Sequence, residues 1–166
     1  RATKGYEATL EELLNPNEQS NGLELDVAER YFIEWNHFTR GVPEYFAWRM
    51  INSKNQLEEK MLVFWQGILC TSDSKIQNYA VSYAELEMFR RFGMGNFKDL
   101  LVEISKDPAM VYFLDNCLSH KDAINENYGR ELLELFSMGV GMDGQFNYTE
   151  DDVKECSRAF TGWTIA

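Results

Sequence analysis

Positive charge is scarce in this chain of 166 residues: 16 Lys and Arg stand against 27 Asp and Glu, a formal net charge of −11. A nucleic-acid backbone or an anionic membrane surface demands a basic face, so the composition argues against both as main partner. Long apolar runs are missing as well. The longest, Ala109 to Leu114, has six residues, where a membrane-spanning helix needs ~20. No charged-then-apolar leader opens the numbering, so a targeting segment is expected to be absent or already removed. Cys70, Cys117 and Cys156 are too widely spaced for a CxxC motif, and an odd count cannot close a full disulfide set. They read as small buried hydrophobes. Histidine occurs twice, His37 and His120, with no His or Cys at ligand spacing from either, so no metal site and no cofactor are expected. Phosphate-binding glycine loops and a nucleophile elbow are absent. Asn147-Tyr148-Thr149 is a formal glycosylation sequon and no more than that.

Proline is also rare, and Pro16, Pro43 and Pro108 each fall where a helix should stop or start. What the chain does contain is helical periodicity. Glu7 to Leu14 reads as a short helix, and Asp26 could cap a second carrying Tyr31, Phe32, Trp35 and Phe38 at steps of three and four. Gly41 ends that one, and Pro43 suits the first turn of the next. Leu57, Met61, Phe64, Trp65, Ile68 and Leu69 predict an amphipathic helix with Glu58, Glu59 and Lys60 on its wet side. Ser82 and Glu85 form a capping-box pattern. Gly93 and Gly95 end that helix, Asn96 caps another, and Asp107-Pro108 restarts helix at once. Asn125 opens a helix predicted to run to Met138, with Gly139 as its C-terminal cap. Gly141 to Asn147 reads as a loop or tight turn, and Thr149 caps a last helix with an acidic first turn. The expected fold is all-α, an irregular single domain of about seven to nine helices over residues 1–166 with no significant sheet.

One polar constellation is dense enough to weigh as a site. On a helix, Glu126, Arg130 and Glu134 recur every four residues and form an acid–base–acid row. Read functionally, this is a carboxylate pair held by an arginine, for proton transfer or a metal. Read physically, it is a solvated face with ion pairs, each worth a few tenths of a kcal/mol, and residue chemistry alone favours this second reading. Arg130 is then expected to bridge Glu126 or Glu134 to a neighbouring helix or loop.

The same stretch carries a resemblance. Asn125 to Gly139 (NENYGRELLELFSMG) closely resembles the hallmark segment of a bacterial family known as domain of unknown function 1800. Gly5 to Pro16 (GYEATLEELLNP), Asp107 to Asn116 (DPAMVYFLDN) and Tyr148 to Trp163 (YTEDDVKECSRAFTGW) resemble three further segments of that family, in order. The resemblance implies a helical fold, longer relatives and frequent export to the cell envelope, but no established activity. It also marks the chain as a partial member or a piece of a longer protein. Many members carry an FWHxHF-type segment. The corresponding stretch here is Phe64-Trp65-Gln66-Gly67-Ile68-Leu69, so neither histidine position could ligate metal or move protons.

Two functions from different classes follow. The favoured one is a non-catalytic helical interaction or scaffold module, bound to a protein partner, a second copy or the rest of its own chain. The alternative is a metal-assisted or carboxylate-based hydrolase built on Glu126, Arg130, Glu131 and Glu134. Binding candidates beside them are Asp115, Asn116, Asn125 and Asn127. Phe160 and Trp163, the end of an apolar stripe through Val153 and Cys156, are expected to lie in an exposed apolar patch.

Overall fold

Side-chain caps place most of the helix starts. In the computed structural model, which describes residues 3–15 and 41–164, the described residues form nine α-helices and a single two-stranded hairpin. The helix expected after Asp26, with Trp35, His37 and Phe38, lies outside the described residues. In chain order the helices are α1 (Tyr6–Leu14), α2 (Gly41–Asn52), α3 (Gln56–Ile68), α4 (Asp73–Ile76) and α5 (Tyr79–Phe92). They continue as α6 (Phe97–Lys106), α7 (Pro108–Phe113), α8 (Asn127–Glu131) and α9 (Glu150–Ala159). Asn96 and Asp107 accept from the backbone N–H groups of Lys98 and Ala109, and Thr149 forms a reciprocal capping box with Asp152. No described helix is long and apolar enough to cross a membrane. The architecture is all-α, as the periodicity predicts.

The hub is α5, which packs against α2, α3, α4, α6 and α7. Leu86 and Phe89 of α5 join Leu62, Leu69, Leu100, Ile104 and Met110 in the core. Trp65 locks the next turn, donating its indole N–H to the Gly93 carbonyl at 2.7 Å and stacking on Phe97. Helices α8 and α9 pair with each other. They join the hub through Tyr128, whose hydroxyl donates to Ser105 Oγ at 2.5 Å.

Four sequence expectations need correction. Glu59 is not on a wet face: it has no exposed surface, whereas Phe64 and Ile68 are exposed. The reason is a pair of guanidinium groups. Glu59 accepts from Arg90 Nη2 at 3.0 Å and from Arg49 Nε at 3.3 Å, and Glu87 closes the cluster from the outer side at 2.7 Å from Arg90 Nη1. Ser82 and Glu85 are not a capping box, because α5 starts earlier, capped by Asn78. Nor do the cysteines share one burial, for Cys70 is exposed. Finally, the helix from Asn125 is not uniform. It widens to a π-helical turn over Leu132–Ser137, where Ser137 Oγ donates to the Leu132 carbonyl five residues back. The turn ends at Gly139, in the left-handed region (φ 72°) as a C-terminal cap requires.

The Glu59–Arg90 pair yields a direct test. Arg90→Ala should cost ~3–5 kcal/mol, because it strands a buried carboxylate. Replacing both residues by leucine should cost far less, since no uncompensated charge remains. Urea unfolding of the two variants checks this; equal losses would show that the charge itself is unimportant.

Candidate functional site

The hallmark segment begins at a turn that its own asparagines build. The Asn125 backbone N–H donates to Ser119 Oγ, its side-chain amide donates to the Asp115 carbonyl, and its Oδ1 accepts from the Asn127 N–H. Asn127 itself is exposed. Asp115 adopts a left-handed conformation (φ 56°), and its carboxylate pairs with Lys75 at 2.8 Å. Asn116 is buried, with neither Nδ2 nor Oδ1 hydrogen-bonded.

One turn on, Arg130 forms a fork across two helices. Its Nη1 and Nη2 donate to the two Glu150 carboxylate oxygens at 3.0 and 2.8 Å, and Nη2 also reaches Glu126 at 3.3 Å. Glu150 lies in the first turn of α9, so this fork staples α8 to the start of α9. The hydrogen bond from Arg130 holds the Glu150 carboxyl below the usual range, and the same bond raises the guanidinium. Glu134 does not complete the expected row. The π turn needs more residues per revolution, so position i+4 rotates off the Arg130 face. Glu134 accepts instead from the Tyr148 hydroxyl at 3.2 Å. Glu131 enters neither contact. Thus Glu126 and Arg130 come together with Glu150, and Glu134 neighbours this group only through Tyr148, while Asp115, Asn116 and Glu131 make no contact with Arg130. None of these residues lines the cleft among α2, α3, α4 and α5, or the one along α5, α6 and the start of α7.

The staple is reinforced by a close approach. A Cβ on Gly129 would overlap Ser157 Oγ and stand 2.9 Å from the Ser157 backbone nitrogen. Glycine in mid-helix therefore lets α8 and α9 touch, with buried Val153 and Ser157 on the α9 side. Phe160 is half-buried, edge-on to Tyr128 at 4.9 Å, so it does not lie in an open patch; Trp163 keeps 39% of its surface exposed. Large apolar exposure appears elsewhere, on the hairpin of Gly141–Met142 and Gln145–Phe146. There Met142 is 80% and Phe146 77% exposed. Asp143 and Gly144, both in the left-handed region, close that hairpin. The sequon residue Asn147 spends its amide on the Met138 and Gly139 carbonyls.

The model of the family described as protein of unknown function (DUF1800) matches residues 2–166. The chain belongs to that family. No curated protein and no solved structure matches it. For this DUF1800 member, then, the function has to be argued from its own side chains.

Those include one feature that sequence reasoning missed. A cleft of about 200 Å³ opens between α2, α3, α4 and α5, and Glu85 lines it. Glu85 is only 2% exposed; its Oε2 accepts from Thr71 Oγ1 at 2.7 Å, and its Oε1 has no partner. Burial, only partly offset by the Thr71 bond, pushes its carboxyl up to about 8. The N-cap Asp107 is likewise raised by burial, to about 6. The signal was present in the spacing: Glu85 stands beside Leu86 and four residues before Phe89, on the core-facing stripe. Reading it as half of a capping box concealed that.

Two outcomes follow. Gly129→Ala should lower stability by ~1–3 kcal/mol through overpacking at the α8–α9 crossing, measurable as a shift in the urea midpoint. The raised carboxyls bind protons more tightly in the folded chain than in the unfolded one. Stability should therefore fall as pH rises from about 4 to about 8, at up to roughly 1.4 kcal/mol per pH unit for each of the two carboxyls. Glu85→Gln should flatten the upper part of that slope. An unchanged slope in thermal melts across this range would show that Glu85 titrates normally.

Proposed function

We propose that this DUF1800 chain is a single helical domain, residues 1–166, acting as a non-catalytic interaction or scaffold module. The observation that carries the reading is the Arg130 fork. Both Nη groups of the hallmark arginine are engaged by Glu150 and Glu126, near the surface. A residue so engaged serves the α8–α9 junction and is poorly placed to hold a substrate. Gly129, Asn125 and Tyr128 of the same segment are each occupied by a packing or turn-forming contact. This accounts for the motif as a fold element.

The docking surface we assign is the hairpin edge. Met142 and Phe146, with exposed Leu135 on the π turn and Met138 just after it, offer apolar area that a protein could cover. The partner is another protein, a second copy or the remainder of its own chain; a net charge of −11 does not suit nucleic acid. The alternative, a carboxylate-based or metal-assisted hydrolase, would be built on Glu126, Arg130, Glu131 and Glu134, of which Glu131 and Glu134 are the acids not tied to Arg130.

Met142→Asp combined with Phe146→Asp should abolish association in sedimentation at micromolar concentration while leaving the melting midpoint unchanged. Arg130→Ala should do the reverse, with a small loss of melting midpoint and intact association. Hydrolysis of chromogenic carboxyl or phosphate esters by the native chain, lost in Glu134→Gln, would overturn the reading in favour of the hydrolase.

A further inference from the structure

The Glu85 cleft is chemically one-sided. Val42, Phe46 and Leu86 supply an apolar wall, while Gln66, Thr71, Asp73, Ser82 and Glu85 supply the polar one. Among the described residues, no lysine, arginine or histidine lines it. The cationic groups nearby are committed elsewhere: Arg49 and Arg90 to Glu59 and Glu87, and Lys75 to Asp115. Asp73 is exposed and accepts from Ser82 Oγ at 3.3 Å, and Glu85 is buried with Oε1 unpaired. A buried carboxyl oxygen without a donor is a standing cost that a ligand with N–H groups would remove.

We propose that this cleft binds a small primary alkylammonium, either a free amine or the end of a lysine side chain, with Glu85 and Asp73 as its counter-charges. The chemistry selects this class on three grounds. An ammonium carries three donors and no acceptor, which suits a lining of carboxylate, amide and hydroxyl oxygens. A short methylene stem packs on Val42, Phe46 and Leu86 while its head reaches the acids. A bare metal ion would gain nothing from that apolar wall, and a bulky organic cation would not fit about 200 Å³, the space of roughly six or seven waters. The inference stands whether or not the chain is an interaction module.

Binding should also be proton-linked. Burial pushes the Glu85 carboxyl up to about 8, with the like charge of the N-cap Asp107 adding to it, so Glu85 holds its proton at neutral pH. An arriving ammonium stabilises the ionised form and displaces that proton.

The test is calorimetric titration of the full chain with butylammonium chloride at pH 7, in two buffers of different ionisation heat. One ligand should bind and release close to one proton. Glu85→Gln should weaken binding by ~10-fold or more and abolish the release; a melting curve confirms that the variant folds. Asp73→Asn, at an exposed position, gives a second variant that should also weaken binding. Nα-acetyl-lysine amide binding as tightly as butylammonium identifies a lysine side chain as the source, and its exclusion identifies a free amine. Equal binding of 1-butanol, displacement by equimolar potassium ion, full affinity in Glu85→Gln, or no butylammonium binding at all would each overturn the proposal.

Discussion

A carboxylate with no exposed surface, Glu59, sits between two guanidinium groups contributed by different helices. Arg90 comes from α5 and Arg49 from α2, so one acid on α3 sets how three helices meet. Hydrophobic packing alone would leave those helices free to rotate, because Leu62 and Leu69 can bury against several neighbouring stripes. The Arg90 fork does not allow that freedom, because Nε and Nη2 must both reach the carboxylate in one plane. The consequence appears on the opposite face of α3. With Glu59 turned inward, Phe64 and Ile68 are carried outward and remain exposed. A buried ion pair of this kind adds little net stability over an apolar substitute. What it supplies here is the rotational setting of α3, and with it the position of Gln66 at the cleft.

The α8–α9 pair follows a different logic. Its contact depends on an absent side chain at Gly129 and on the fork from Arg130 to Glu150, while the buried Tyr128 ring and its hydroxyl tie the pair to α6. The hallmark helix is thus held on one side by close backbone approach and on the other by polar contacts. The π turn beyond it breaks the four-residue register and redirects Glu134 towards Tyr148. It also carries the chain into the hairpin, where Met142 and Phe146 are presented to solvent.

Helix starts were legible in the sequence because their chemistry is local: Asn96, Asp107 and Thr149 each satisfy an N–H two or three residues on. The acidic first turn of α9 and the glycine stop at Gly139 were readable for the same reason. The partner of Glu59 was not, since Arg90 lies 31 positions away and nothing in a helical pattern says which acids turn inward. The π turn escaped too, because LLELFS has ordinary α-helical spacing and only its hydrogen bonds reveal the extra residue. Of the candidate site, the closeness of Glu126 and Arg130 was legible as a four-residue step. Their third member, Glu150, required the fold.

Glu59 and Glu85 show how the surroundings of an acid separate structure from binding. Both are buried acids on packed helices, Glu59 on α3 and Glu85 on α5. Glu59 has two guanidinium groups, and each of its oxygens is engaged. Glu85 has one hydroxyl, a like charge at Asp107, and an oxygen with nothing to accept. A satisfied buried charge rigidifies, whereas a buried carboxyl with an unpartnered oxygen is driven to keep its proton and opposes the fold unless something else binds there. Replacing Glu85 by a neutral isostere should therefore relieve the folded chain rather than damage it, the opposite of what stranding Glu59 would do. The two acids are one architectural problem with two solutions. Of the two, Glu85 is the one that lines a cleft, where a ligand could supply the missing donor.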